Sequence, residues 1–118
     1  MILITEFMNE KAVDLLRSKY DVIYDKSLAD NQEKIPDMMK DIKAIIVRNR
    51  TQINENLLNH SPNLLCVGRL GVGLDNIDLE SCKERNLTVY PATGANTNGV
   101  VEYVFTSALI LFRGAFNK

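Results

Sequence analysis

Short continuous apolar runs alternate with helix-periodic segments along nearly the whole chain, and this alternation limits the possible folds more than any other feature. Ile2–Thr5, Val22–Tyr24, Ala44–Val47, Leu64–Val67 and Leu87–Tyr90 read as strands. Between them, Glu10–Lys19 repeats Ala12, Val13, Leu15 and Leu16 at helical spacing. Asn31–Asp41 sets charges against Ile35, Met38 and Met39 and reads as a second helix, with Pro36 in its first turns. Asn54 can cap a short helix carrying Leu57 and Leu58, Asp78–Glu84 reads as a fourth, and a last one runs from about Asn98 to the end. Strands that are apolar throughout, separated by helices, belong to a parallel sheet covered on both faces. The expected class is therefore α/β, a flavodoxin-like wound sheet of five parallel strands with helices on both faces.

In such sheets ligands bind beyond the carboxyl ends of the strands, which directs attention to the loops after Thr5, Val47, Val67 and Tyr90. The third of these reads Gly68–Asp78, "GRLGVGLDNID". Its Gly71-Val72-Gly73 pair invites comparison with a dinucleotide fingerprint, but the third glycine is replaced by Asn76. Three strands precede it, no acidic residue ends the next strand, and the following helix opens late, near Asp78. A smaller role suits the spacing better. Two glycines let the backbone approach a ligand and turn successive N–H groups toward a carboxylate or single phosphate. A tight turn without a ligand, braced by Asp75 and Asn76, explains the same residues. "VRNRT", Val47–Thr51, places Arg48 and Arg50 directly after a buried strand, which favours an acidic small molecule. "PATGANTNG", Pro91–Gly99, offers Asn96 and Thr97, either of which can cap the final helix.

Composition narrows the alternatives. A chain of 118 residues is one domain by size, and it buries roughly two-thirds of its unfolded surface, enough for one core. Fourteen basic and fifteen acidic residues, with no basic stripe, give no footprint for nucleic acid. No run reaches the roughly 20 apolar residues of a membrane span, and "MILITEFMNE" has no signal-peptide pattern. Cys66 and Cys82 lack metal-ligand spacing and read as reduced thiols of a cytoplasmic protein. His60 is the only histidine, too few for a zinc site, and reads as a solvated loop residue.

Three blocks resemble the D-isomer-specific 2-hydroxyacid dehydrogenase family, which includes D-3-phosphoglycerate dehydrogenase: "VRNRT", "GRLGVGLDNIDLESCKERNLTVYPATGANT" and "GVVEYVFTSALILFRG". They cover most of the second half, while the first half agrees in strand pattern only. The forms look closest to a branch that includes sulfolactate dehydrogenases. The resemblance implies that residues 1–98 are a substrate domain and that 99–118 begin an interdomain and dimerisation helix. It implies that Val72 and Gly73 present amides to the substrate carboxylate, that Arg48 and Asn49 flank the substrate, and that Asn96 helps orient it. Val100 matches a position lining the nicotinamide side of the cleft.

For the intact enzyme the resemblance implies hydride transfer between NAD(H) and C2 of a small 2-hydroxy or 2-oxo acid. The family's nucleotide-binding domain and its catalytic arginine, acidic residue and histidine follow this region. The chain up to Lys118 is thus expected to be an N-terminal piece, inactive alone, and His60 lies in the wrong block for the catalytic histidine. From Val100 to Phe116 twelve of seventeen residues are apolar on every side of the helical wheel, which suggests a homodimer through that helix. Two other classes stand beside this reading. A stand-alone module could sense a small acid without chemistry. A phospho-acceptor receiver domain shares the wound sheet, but Thr5-Glu6-Phe7 and Val47-Arg48-Asn49 occupy the places of its acidic residues.

Overall fold

Five strands form one fully parallel sheet in the computed structural model, which describes residues 1–70 and 73–92. They are β1 (Ile2–Ile4), β2 (Val22–Tyr24), β3 (Ala44–Val47), β4 (Cys66–Leu70) and β5 (Thr88–Ala92), in the spatial order β2-β1-β3-β4-β5. This is the expected flavodoxin-like order. The register aligns Leu3 with Ile45, Ile45 with Val67 and Val67 with Val89, so these side chains share one face. Ile2, Ile4, Ala44, Ile46 and Cys66 point to the other.

Each face is covered. Helix α1 (Glu10–Arg17) lays Ala12, Val13 and Leu16 on the Ile2–Ile46 face. Leu15, expected among them, is exposed, because its position on the wheel turns it away from the sheet. Helices α2 (Glu55–Asn59) and α3 (Leu79–Glu84) cover the opposite face with Leu57, Leu58 and Cys82. Asn54 caps α2, its side chain accepting from Leu57 N at 3.0 Å. Helix α3 ends in a left-handed Asn86 (φ 57°), with Asn86 N donating to Lys83 O and Leu87 N to Cys82 O. That double bond is a Schellman stop, and it delivers the chain into β5.

The structure corrects the second expected helix. Residues 26–38 form three separate 3₁₀ turns, Lys26–Asp30, Gln32–Lys34 and Pro36–Met38. Pro36 has no N–H to continue an α-helical ladder. Asn31 leaves helical geometry, and the Gln32 side chain bonds to Arg50 O at 2.8 Å and receives Gln52 N at 2.9 Å. The apolar spacing was still informative, since Ile35 and Met39 are buried in the core. Strand β4 also runs later than expected, from Cys66 through Gly68 and Arg69 to Leu70, because β3 and β5 pair with it on both sides. The expected helix from Asn98 onward lies outside the described residues.

Cys66 and Cys82 are free and buried. Burial pushes the Cys66 thiol up to about 12, leaving almost no thiolate to react. Iodoacetamide at about pH 8 is expected to spare Cys66 in the folded protein and modify it after unfolding in urea, read by peptide mass spectrometry. Rapid labelling of the native protein at Cys66 would contradict its placement under α1.

Candidate functional site

The carboxyl ends of β1, β3 and β4 meet in a buried polar network. Thr5 and Glu6 follow β1, and Arg48–Thr51 follow β3. Arg69 stands near the end of β4 and Asn76 in the loop beyond it. Glu6 is only 3% exposed, and its carboxylate accepts three backbone N–H bonds from the second loop. These come from Arg48 (2.6 Å), Arg50 (3.0 Å) and Thr51 (3.1 Å). A buried carboxylate is tolerated when such donors replace its water.

Asn76 holds the same loop by its carbonyls. Its Nδ2 donates to Arg48 O at 2.7 Å and to Thr51 O at 2.8 Å, while its Oδ1 accepts from Arg69 Nε at 3.2 Å. Arg69 also donates to Leu70 O. Asn76 O accepts from Ile53 N, and Thr5 and Thr51 share a hydroxyl bond of 2.8 Å. The loop after β4 and the loop after β3 are therefore one hydrogen-bonded unit.

On this base the expected ligand-facing residues separate clearly. Arg48 and Asn49 are exposed at the end of β3. Gly73 is exposed in a left-handed conformation (φ +90°), with open space where a Cβ would project. Its backbone conformation, rather than crowding, calls for glycine. Arg50, by contrast, pairs with Asp30 across the 3₁₀ segment. Val72, Asn96 and Val100 lie outside the described residues. His60 closes α2, its Nδ1 donating to Asn56 O at 2.8 Å. The sequence had pointed to Arg48, Asn49 and Gly73, and to Asn76 as a brace. It had not pointed to Glu6 or Arg69 as the groups beneath them.

The described residues do not suit a pyrophosphate. Helix α3 opens at Asp78, whose carboxylate accepts from Ser81 N at 3.0 Å and from Ser81 Oγ at 2.9 Å. Those bonds hold its carboxyl below the usual range. An anionic side chain thus fills the helix start where a dinucleotide phosphate would need free amides. What the site can offer is a guanidinium and a carboxamide on a braced loop, joined through Asn76 to a glycine turn. That suits a small acid.

Comparison with known proteins identifies the family of this fold. The model of the D-isomer specific 2-hydroxyacid dehydrogenase catalytic domain matches residues 2–115. The chain belongs to that family. Among curated members it is 47% identical over 115 residues to (S)-sulfolactate dehydrogenase of Chromohalobacter salexigens, covering 98% of this chain and 37% of that protein. It is 31% identical to D-3-phosphoglycerate dehydrogenase 1 of Saccharomyces cerevisiae, covering 95% of this chain and 24% of that one. A crystal structure of NAD⁺-bound 3-phosphoglycerate dehydrogenase from Entamoeba histolytica superposes with a TM-score of 0.63. It is 25% identical, over 76% of this chain and 32% of its own. The chain thus spans between 24% and 37% of the length of these three relatives. No helix among the described residues is long and apolar enough to cross a membrane.

Proposed function

We propose that this chain is the acid-anchoring part of an NAD-dependent 2-hydroxyacid dehydrogenase, and that its substrate is a three-carbon 2-hydroxy acid bearing a second anionic group. The observation that carries the reading is exposed Arg48 on a loop fixed at the sheet end, in a chain 47% identical to a sulfolactate dehydrogenase. Sulfolactate and phosphoglycerate, named in the two curated relatives, both carry a second acidic group beside the carboxylate.

In this reading the amides of Val72 and Gly73 take the carboxylate, while Arg48 and Asn49 meet the distal anion. Asn96 orients the acid, and Val100 lines the nicotinamide side. The nicotinamide supplies hydride transfer at C2. This chain contributes proximity and orientation. In the same reading residues 1–98 serve as the substrate domain, residues 99–118 serve the pairing of two copies, and the enzyme works in the cytoplasm. The dinucleotide domain and the acid–base groups belong to sequence outside these 118 residues, so the isolated chain turns nothing over.

The test uses the full-length gene product with NAD and a panel of sulfolactate, 3-phosphoglycerate and lactate. Arg48→Leu is expected to raise KM for the best dianionic acid by about tenfold to a hundredfold, the worth of a charge-assisted bond. Lactate, with one anion, should change little. Equal losses for lactate and the dianionic acids would remove Arg48 from distal recognition, and no turnover of any 2-hydroxy acid would remove the enzyme reading.

A further inference from the structure

We infer that Glu6 and Asn76 are positioning residues for acid binding, acting through the backbone of Arg48 without touching the ligand. The inference rests on the function proposed above and extends it to residues that lie beneath the ligand-facing surface.

Both backbone polar groups of Arg48 are engaged: its N–H by Glu6 at 2.6 Å and its carbonyl by Asn76 at 2.7 Å. Thr51, at the other end of the loop, is held by the same two side chains at 3.1 and 2.8 Å. Glu6 also takes the amide of Arg50, so it binds three of the four amides from 48 to 51. Asn49 remains at the exposed tip.

A loop fixed at both ends, on both its donors and its acceptors, sets where the Arg48 side chain starts. A long flexible side chain loses less entropy on binding when its backbone is already fixed. The chemistry of Glu6 suits this task. A single carboxylate can accept several N–H bonds at once, whereas an apolar residue would leave those amides buried without partners. Asn76 supplies the complementary donors and, from its place three residues beyond Gly73, ties the glycine turn to the same support.

The experiment is a kinetic cycle in the full-length protein with sulfolactate and NAD as probes. Glu6→Gln, which keeps one acceptor oxygen, is expected to raise KM about tenfold while kcat stays within about twofold, the pattern of lost uniform binding. In an Arg48→Leu background the same change should add almost nothing, since Glu6 acts through Arg48. An unchanged KM in Glu6→Gln, or full additivity with Arg48→Leu, overturns the inference. A second readout needs no variant. Amide-resolved hydrogen exchange should show Arg48, Arg50 and Thr51 protected relative to Asn49, and exchange of all four at open-loop rates overturns the clamp. Protected amides with no turnover by the wild-type protein would instead overturn the function reading, leaving the clamp as a brace alone.

Discussion

Replacing Ile45 with alanine is expected to lower the unfolding free energy by about 4 kcal/mol, within the range for large aliphatic truncations in cores. Ile45 lies in β3, the middle strand of five, and is fully buried. Leu3 flanks it on β1 and Val67 on β4, while the 3₁₀ region and α2 close over them with Ile35, Met39 and Leu57. Strands paired on both sides cannot slide to fill a void, so little of the cavity should collapse. Ile45→Val, which removes one methylene, should cost only about 1 kcal/mol. Urea unfolding measures both, and an unchanged denaturant slope would confirm that only stability moved. A loss under about 1 kcal/mol for the alanine variant would mean that the site is not enclosed as described.

The second large effect concerns Asn76. Asn76→Leu keeps the approximate shape but deletes two donors and one acceptor, stranding Arg48 O and Thr51 O and taking one acceptor from Arg69. Each buried group left without its partner costs about 1–3 kcal/mol, and relaxation of an exposed-edge loop recovers part of the sum. The expected net loss is about 3–4 kcal/mol. Asn63→Leu is the control. It also removes a donor to a carbonyl, Lys40 O at 2.8 Å, but the pair is exposed and water can replace the bond. That variant should change stability by under about 1 kcal/mol. If the two asparagines behave alike, the polar network contributes no more than ordinary surface bonds.

Much of this architecture is legible in the residues themselves. Apolar runs such as Ala44–Val47 mark strands because a sheet covered on both faces leaves no polar position to interrupt them. The same rule places β4 too early, at Leu64–Val67 where the strand is Cys66–Leu70. Gly68 and Arg69 look like loop residues, and only pairing on two sides makes them strand. The 3₁₀ run shows periodicity reporting burial without reporting helix type. Ile35 and Met39 face the core as a helix would place them, yet Pro36 and the Gln32 side-chain bonds prevent the α ladder.

The site divides along a similar line. Arg48 and Gly73 stand out because charge and glycine in loops after buried strands are visible in one dimension, whereas Asn49 enters only through the family resemblance. Glu6 does not stand out, since its partners are 42 to 45 residues away and are backbone amides, which every sequence contains. The same holds for Arg50, whose pairing with Asp30 depends on where the 3₁₀ segment lies. An acidic residue following the first strand was the available signal, and only the fold gives it a meaning.

The placement of β1 makes three residues the hinge-pin of one side of the sheet. Strand β1 sits inside the sheet, with β2 on one side and β3 on the other. Among the described residues β2 pairs with β1 alone, so a protease that removed Ile2–Ile4 would sever β2 from the sheet as well.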